Sequence, residues 1–245
     1  MLELGSLLGA GKVAEVFAYG DKVLKLYRAG APKSAAFREA AVLSLVEQSG
    51  IPAPRVEEVA AFDDRWGLVM GRVPGAPFAP SLVVSPPSKP YLEALARLQI
   101  KVHEAPAPQL PTLKARLRTN IGRALQLDVP RRRALLVELD ALPDGDRLCH
   151  GDFHPWNVLG TPEDAVIVDW PDANCGPPAA DVCRSYVLIA HVSEGLARAY
   201  VETYARLAEI DIDEVWRWRA VVAAARLAEG VPDEEAGLMR MALGQ

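Results

Sequence analysis

Leu148-Cys149-His150-Gly151-Asp152-Phe153-His154-Pro155-Trp156-Asn157-Val158-Leu159, with Val166-Ile167-Val168-Asp169-Trp170 shortly after it, constrains this chain more than any other stretch. Short apolar runs here flank three oxygen-bearing side chains, Asp152, Asn157 and Asp169. Asp152 and Asn157 stand five apart across a tight turn at His154-Pro155, and Asp169 ends a β-branched run that reads as a buried strand. Oxygen donors of this kind suit a hard divalent cation. Asn157 and Asp169 can supply them and leave Asp152 to take a proton from an attacking hydroxyl. Phosphoryl transfer from a magnesium nucleotide requires that division of labour. The competing reading is a polar turn that caps two strands, which would direct an Asp, a His and an Asn into one turn with no task for any of them.

The chain ahead of this segment reads as a small antiparallel sheet with one helix. Residues 2–8, 14–19 and 23–27 are strand-like, with Gly9-Ala10-Gly11-Lys12 and Gly20-Asp21 as turns. Glycine at positions 9 and 11 lets backbone N–H groups approach a phosphate, although a plain hairpin explains the pair as well. Lys25 lies mid-strand on the face of Val23 and Tyr27. It is therefore either an edge-strand gatekeeper or a buried cation in need of a partner. A helix is expected over 35–48, capped by Ser34 and ended by Gly50 and Pro52. Its helical spacing places Glu39 on the same face as Val42, Leu43 and Val46. Residues 55–62 and 66–70 form a second hairpin, and Gly71-Arg72-Val73-Pro74-Gly75 has the composition of a linker.

Beyond it, 76–90 is expected to be irregular, and 91–104, 113–127 and 131–139 helical. His103 reads as structural, since no acid or nucleophile is placed beside it to give it a catalytic task. Arg131-Arg132-Arg133 reads as a solvated helix start. After the central segment, 182–191, 193–208 and 213–229 carry helical apolar spacing. Trp216 and Trp218 stand two apart and so diverge by roughly 200 degrees on a helix. Asp211, Asp213, Glu214, Asp233, Glu234 and Glu235 read as helix-start and exposed-tail acids, the plainer alternative to recognition of a cationic acceptor.

His150-Gly151-Asp152-x-His154-x-x-Asn157 together with Val168-Asp169-Trp170 resembles the catalytic segment of the aminoglycoside phosphotransferase-like (choline kinase-like) small-molecule kinases, relatives of the protein kinases. The resemblance implies an α+β, two-lobed protein kinase-like fold, with a small antiparallel-sheet N-lobe carrying one helix (1–71) and a mostly helical C-lobe (72–245). It implies that Glu39 salt-bridges Lys25, which grips phosphates beside Gly9 and Gly11, and that backbone groups near Met70 and Arg72 meet the nucleotide base. Asp152 would be the catalytic base, with His154 near the transferring phosphoryl group, and Asn157 and Asp169 would hold Mg2+. His150 would brace the turn, and Asp181 would cap it from a neighbouring helix. The cofactor implied is ATP, with GTP as an option. The chain departs from the family pattern at Ala14, which takes the place of a third loop glycine, and at Pro171, where many members carry an acid and this chain has Asp172 one position later.

Eleven residues separate Asp169 from Asp181. A protein kinase needs a longer segment there for a peptide platform and an activation switch, so a compact hydroxyl acceptor is expected. The alternatives are an atypical protein kinase and a catalytically weak nucleotide-binding module. At 245 residues, with half of them apolar and a net charge of −5, the chain suits one kinase-sized domain and argues against nucleic acid as a partner. No basic segment precedes an apolar run, no stretch is long enough to span a membrane, and the cysteines, three in number, lack metal-ligand spacing. A cytoplasmic monomer or homodimer is the expectation.

Overall fold

The computed structural model describes residues 4–84 and 86–245. The chain divides into two compact units. One runs through Ala76 and takes in Val158–Pro171; the other comprises Pro77–Asn157 and Asp172–Gln245.

The first unit is built on strands β1 (Leu7–Ala10), β2 (Ala14–Tyr19) and β3 (Lys22–Tyr27), helix α1 (Lys33–Gln48), and strands β4 (Val56–Phe62) and β5 (Arg65–Gly71). The five strands form one antiparallel sheet in the order β1-β2-β3-β5-β4. The expected first strand began at residue 2. Residues 2 and 3 lie outside the described residues, and the strand that forms starts at Leu7 and absorbs Gly9. β3 is the middle strand, with Lys25 paired to Val16 on one side and Leu68 on the other. Lys25 is therefore no edge gatekeeper. Alternation along β3 sends Leu24 and Leu26 into a cluster with Val69, Phe17, Tyr19 and Phe62, while Tyr27 packs with Ala14 and Ala36 on the α1 side.

Helix α1 buries Ala36, Glu39, Val42, Leu43 and Val46 along one face. It starts at Lys33, after Pro32, and Ser34 lies inside the helix and caps nothing. Proline's fixed φ already suits a helix entry. At the other end Gly50 takes a φ of 67°, and the Gly50 and Ile51 N–H groups donate back to Glu47 and Val46, which closes the helix.

The second unit begins with α2 (Ala79–Leu82), a short turn inside the stretch expected to be irregular. It continues through α3 (Lys89–Glu104), α4 (Leu113–Arg123), α5 (Val129–Ala141) and β6 (Arg147–Cys149). Of the 76–90 stretch, Ser85 lies outside the described residues. Helix α5 starts two residues before the expected Arg131 because Asp128 caps it, accepting from Arg131 N at 2.7 Å. Arg131 is not simply solvated: its Nε donates to the carbonyl of Ala242 at 2.8 Å.

Strands β7 (Val158–Leu159) and β8 (Val166–Ile167) form a hairpin of the first unit, where Ile167 N donates to Pro52 O and Gly160 N to Ala76 O. Strand β9 (Asn174–Gly176) returns to the second unit and pairs antiparallel with β6, setting Cys149 opposite Asn174. The chain then runs through α6 (Pro178–Ala190), α7 (Glu194–Ala208), α8 (Ile212–Trp216), α9 (Arg219–Leu227) and α10 (Glu235–Ala242).

The single helix expected over 213–229 is interrupted at Arg217-Trp218. One straight helix would point Trp216 and Trp218 in divergent directions. With the break, Trp218 is fully buried and Trp216 packs edge-on against Tyr186, ring centres 4.9 Å apart. Asp211 caps α8, accepting from Asp213 N. The fold is α+β, a five-stranded antiparallel sheet with one helix followed by a mostly helical remainder. Among the described residues no helix is long and apolar enough to cross a membrane.

Candidate active site

In the first unit Lys25, Glu39 and Asp169 come together. Lys25 Nζ lies 2.8 Å from Glu39 Oε1 and 2.6 Å from Asp169 Oδ1. Lys25 is 6% exposed and Glu39 1%, so neither charge is balanced by water. Burial pushes the ammonium towards losing its proton, but the two carboxylates outweigh that and hold its pKa above the usual lysine value. The other Glu39 oxygen accepts from the Tyr27 hydroxyl. Burial and the Glu39 charge push the Tyr27 phenol well above its ordinary pKa, so it stays a donor. Tyr27, two residues after Lys25 on the same strand face, is a partner that sequence reading missed.

Asp169 adopts a φ of 67°, rare for a residue with a side chain. This left-handed bend follows β8 and turns the carboxylate to Lys25. Gly9 sits in β1 opposite Val16, and Gly11 N donates to Ala14 O. Neither has a positive φ, and a Cβ on Gly9 would meet nothing within 4 Å. The chain's own packing therefore does not require glycine at position 9. Met70 is buried near the end of β5, where Gly71 N is taken up by Arg55 O, and Arg72 stands exposed just beyond.

In the second unit β6 delivers the chain into the turn that holds Asp152, His154 and Asn157. Gly151 makes the turn possible: its φ is 79°, and a Cβ would come within 2.3 Å of Asp172 O. His150 is fully buried, and its Nδ1 accepts from Asp152 N at 3.2 Å. Asp181, at the start of α6, accepts from Gly151 N at 2.8 Å and His150 N at 3.1 Å. The turn is thus pinned at its first two amides by a buried carboxylate.

His154 Nε2 lies 3.5 Å from Asp152 Oδ2 and 3.3 Å from Asn157 Nδ2. Asn157 Nδ2 donates to the Asp152 carbonyl at 2.9 Å. Asn157's amide nitrogen is spent on the turn, which leaves its oxygen as a donor of the kind a hard cation takes, and in the first unit Asp169 meets Lys25 through Oδ1. Burial raises the Asp152 carboxyl pKa, but the hydrogen bond and charge of His154, followed by Arg184 and His150, more than reverse this and hold it below the usual range. Such a carboxylate stays ionised and orients a hydroxyl better than it removes a proton.

Asp172 is held by Arg116, which pairs with its carboxylate and donates to its carbonyl, both at 2.8 Å. His103 is buried, but the premise that no acid stands beside it is wrong. Its Nε2 lies 3.1 Å from Asp181 Oδ2 and its Nδ1 2.7 Å from the Tyr204 hydroxyl. The structural role stands, for a different reason: His103 braces the carboxylate that holds the turn. Sequence reading also missed Arg184, buried on α6 one helical turn after Asp181, and its partner Glu229. The i, i+3 spacing from Asp181 was the available signal for the arginine.

Solved structures with the same fold include a thermostable mutant of aminoglycoside phosphotransferase APH(4)-Ia in a ternary complex with ADP and hygromycin B. It has a TM-score of 0.73 at 14% identity and covers 98% of this chain and 92% of its own. A choline/ethanolamine kinase family protein from Mesorhizobium loti has a TM-score of 0.66 at 22% identity, covering 98% and 87%. Among characterised sequences, the aminoglycoside 3'-phosphotransferase of Streptomyces fradiae is 35% identical over 154 residues, 54% of this chain and 56% of its own. The viomycin phosphotransferase of Streptomyces vinaceus is 31% identical over 137 residues, 47% of each. The chain thus aligns over about half the length of these relatives. The sequence profile of the Phosphotransferase enzyme family matches residues 13–222, and with that span covered the chain belongs to this family.

Proposed function

We propose that this protein is an ATP-dependent phosphotransferase that moves the γ-phosphoryl group to a hydroxyl of a small molecule, with an aminoglycoside-like, amino alcohol or sugar acceptor. The observation that carries the reading is the buried Lys25, held between Glu39 and Asp169. A lysine is costly to bury, and one fixed by two carboxylates is poised to meet phosphate oxygens. The space above Gly9, which the chain's own packing leaves open, suits close approach of phosphates to backbone N–H groups. In this reading residues 1–71 form the nucleotide-binding lobe and 72–245 the acceptor-binding lobe, with backbone groups near Met70 and Arg72 on the base.

Asn157 and Asp169 are the residues that would hold Mg2+. The ion's contribution is to neutralise charge on the phosphates. Asp152 orients the acceptor hydroxyl and receives its proton. His154, hydrogen-bonded at the same turn, supplies a polarisable imidazole to the transferring group. The short run between Asp169 and Asp181 favours a compact acceptor over a polypeptide. The antibiotic kinases among the relatives make antibiotics the first acceptors to try.

The test is calorimetric titration with Mg-ATP and Mg-GTP, followed by coupled ADP release across a panel of aminoglycosides, viomycin, amino alcohols and sugars. Micromolar to millimolar nucleotide binding and turnover with at least one small acceptor are expected. Absence of nucleotide binding by a folded protein would refute the reading.

A further inference from the structure

Arg184 is buried on α6, and its guanidinium is used in three directions. Nε donates to Gly151 O at 3.2 Å, the two terminal nitrogens face the Glu229 carboxylate at 2.8 and 3.0 Å, and NH2 lies 3.8 Å from Asp152 Oδ1. Glu229, just past α9, also pairs with Arg226, and Arg226 grips Glu234 at 2.6 and 2.7 Å. Glu234 was expected to be a solvated tail acid, yet its side chain is only 9% exposed. Charges therefore alternate from the turn outward: Asp152, Arg184, Glu229, Arg226, Glu234. Glu229 and Glu234 lie beyond residue 222, where the family match ends.

We propose that Arg184, clamped by Glu229, is a positioning residue that fixes the Gly151-Asp152 backbone and the Asp152 carboxylate. The segment around Glu229–Glu234 thereby becomes part of the catalytic apparatus. The proposal rests on the phosphotransferase reading for its consequence in turnover, but not for its geometry. A planar guanidinium with a bidentate carboxylate partner has one orientation, so its third donor can hold a carbonyl in place. The turn needs such a hold. Gly151 has a left-handed φ, and the Asp181 bonds restrain its N–H side only. The Arg184 bond restrains the carbonyl side of the same residue. Loss of Arg184 leaves Glu229 still paired with Arg226, so the substitution does not orphan a buried acid.

The experiment compares Arg184→Met, Arg184→Lys, Glu229→Gln and the wild type in the full chain. Amide hydrogen exchange of residues 150–157 is read alongside the melting temperature, Mg-ATP affinity by calorimetry, and kcat and KM for the acceptor identified by the panel. Exchange in that segment is expected to accelerate about tenfold or more in Arg184→Met and less in Glu229→Gln. Lysine should restore part of the protection. Affinity for Mg-ATP should stay within about threefold while kcat falls, the pattern of a misplaced base rather than lost nucleotide binding. Unchanged exchange at 150–157 in a folded Arg184→Met protein would overturn the proposal, whether or not any acceptor turns over. An equal loss of kcat and of nucleotide affinity would also overturn it. If wild type binds no nucleotide, the functional reading fails alone, and the exchange result still decides the positioning role.

Discussion

Lys25 Nζ lies 2.6 Å from Asp169 Oδ1, joining the middle strand of the sheet to a residue 144 positions further along the chain. The same ammonium holds Glu39 at 2.8 Å. One lysine thus ties sheet, helix and β8 hairpin together within the first unit, and its loss is felt in folding as well as in chemistry.

Lys25→Met leaves Glu39 buried with the Tyr27 hydroxyl as its remaining donor. Breaking a buried ion pair from one side costs about 3–5 kcal/mol. Thermal and urea unfolding followed by circular dichroism should show a loss of that order, and calorimetry should show Mg-ATP binding abolished. A variant that melts like wild type would mean the lysine is solvated.

Tyr27→Phe removes the donor to the second Glu39 oxygen and leaves a buried acceptor unsatisfied, at a cost of about 1–3 kcal/mol. The pH dependence has a definite sign. Burial and the Glu39 charge raise the folded-state pKa of Tyr27 above its ordinary value of 10.0. Its contribution is therefore fully present below pH 10 and declines as pH rises beyond it. Lys25, also raised, acts in the same direction above 10.5 and persists in the variant. Urea midpoints at pH 9 and pH 11 should fall further in wild type than in Tyr27→Phe. Equal falls would show that the phenol proton is not held.

Asp152→Ala should abolish turnover, with a loss of at least about 10²–10⁴-fold in kcat, while Mg-ATP affinity stays within a few-fold, because Asp152 acts on the acceptor. Asp169→Ala should instead weaken Mg-ATP. Coupled ADP release and calorimetry separate the two. Loss of nucleotide binding in folded Asp152→Ala protein would mean the roles are assigned wrongly.

The sheet and helices were legible because their signals are local. Alternation placed Lys25 and Tyr27 on one face of β3, three- and four-residue spacing put Glu39 on the inner face of α1, and Gly50 marked that helix's end. What was illegible depended on partners distant in sequence. Whether Lys25 sits on an edge or in the centre depends on β5 pairing beside β3, which no feature of residues 22–27 announces. The His103–Asp181 contact spans 78 positions and the Arg184–Glu229 pair 45, so no local spacing announces either pairing. Ser34 misled for a local reason: a good capping residue lost to a proline two positions earlier. The break at Arg217-Trp218 was foreshadowed by the divergence of its two tryptophans, but only packing against Tyr186 shows how the chain resolves it.

Asp181 is fully buried and faces two backbone amides, the Gln99 amide at 2.9 Å and His103 at 3.1 Å. Burial disfavours its charge, yet the hydrogen bond and charge of His103, with His150 and Gly151 N behind it, hold its pKa below the ordinary 3.8. A carboxylate with a depressed folded-state pKa contributes stability that is present above 3.8 and is lost as pH falls below it. Asp181→Asn keeps the shape, removes the charge and presents a donor to donors, so it should cost about 3–5 kcal/mol at pH 7. Below pH 3.8 the wild type progressively forfeits the advantage that the variant never had, and the gap between them should narrow. Urea unfolding of both proteins at pH 7, 5 and 3 measures that gap directly. A gap of constant size across the series would mean that the charge of Asp181 is not what holds the Gly151 turn.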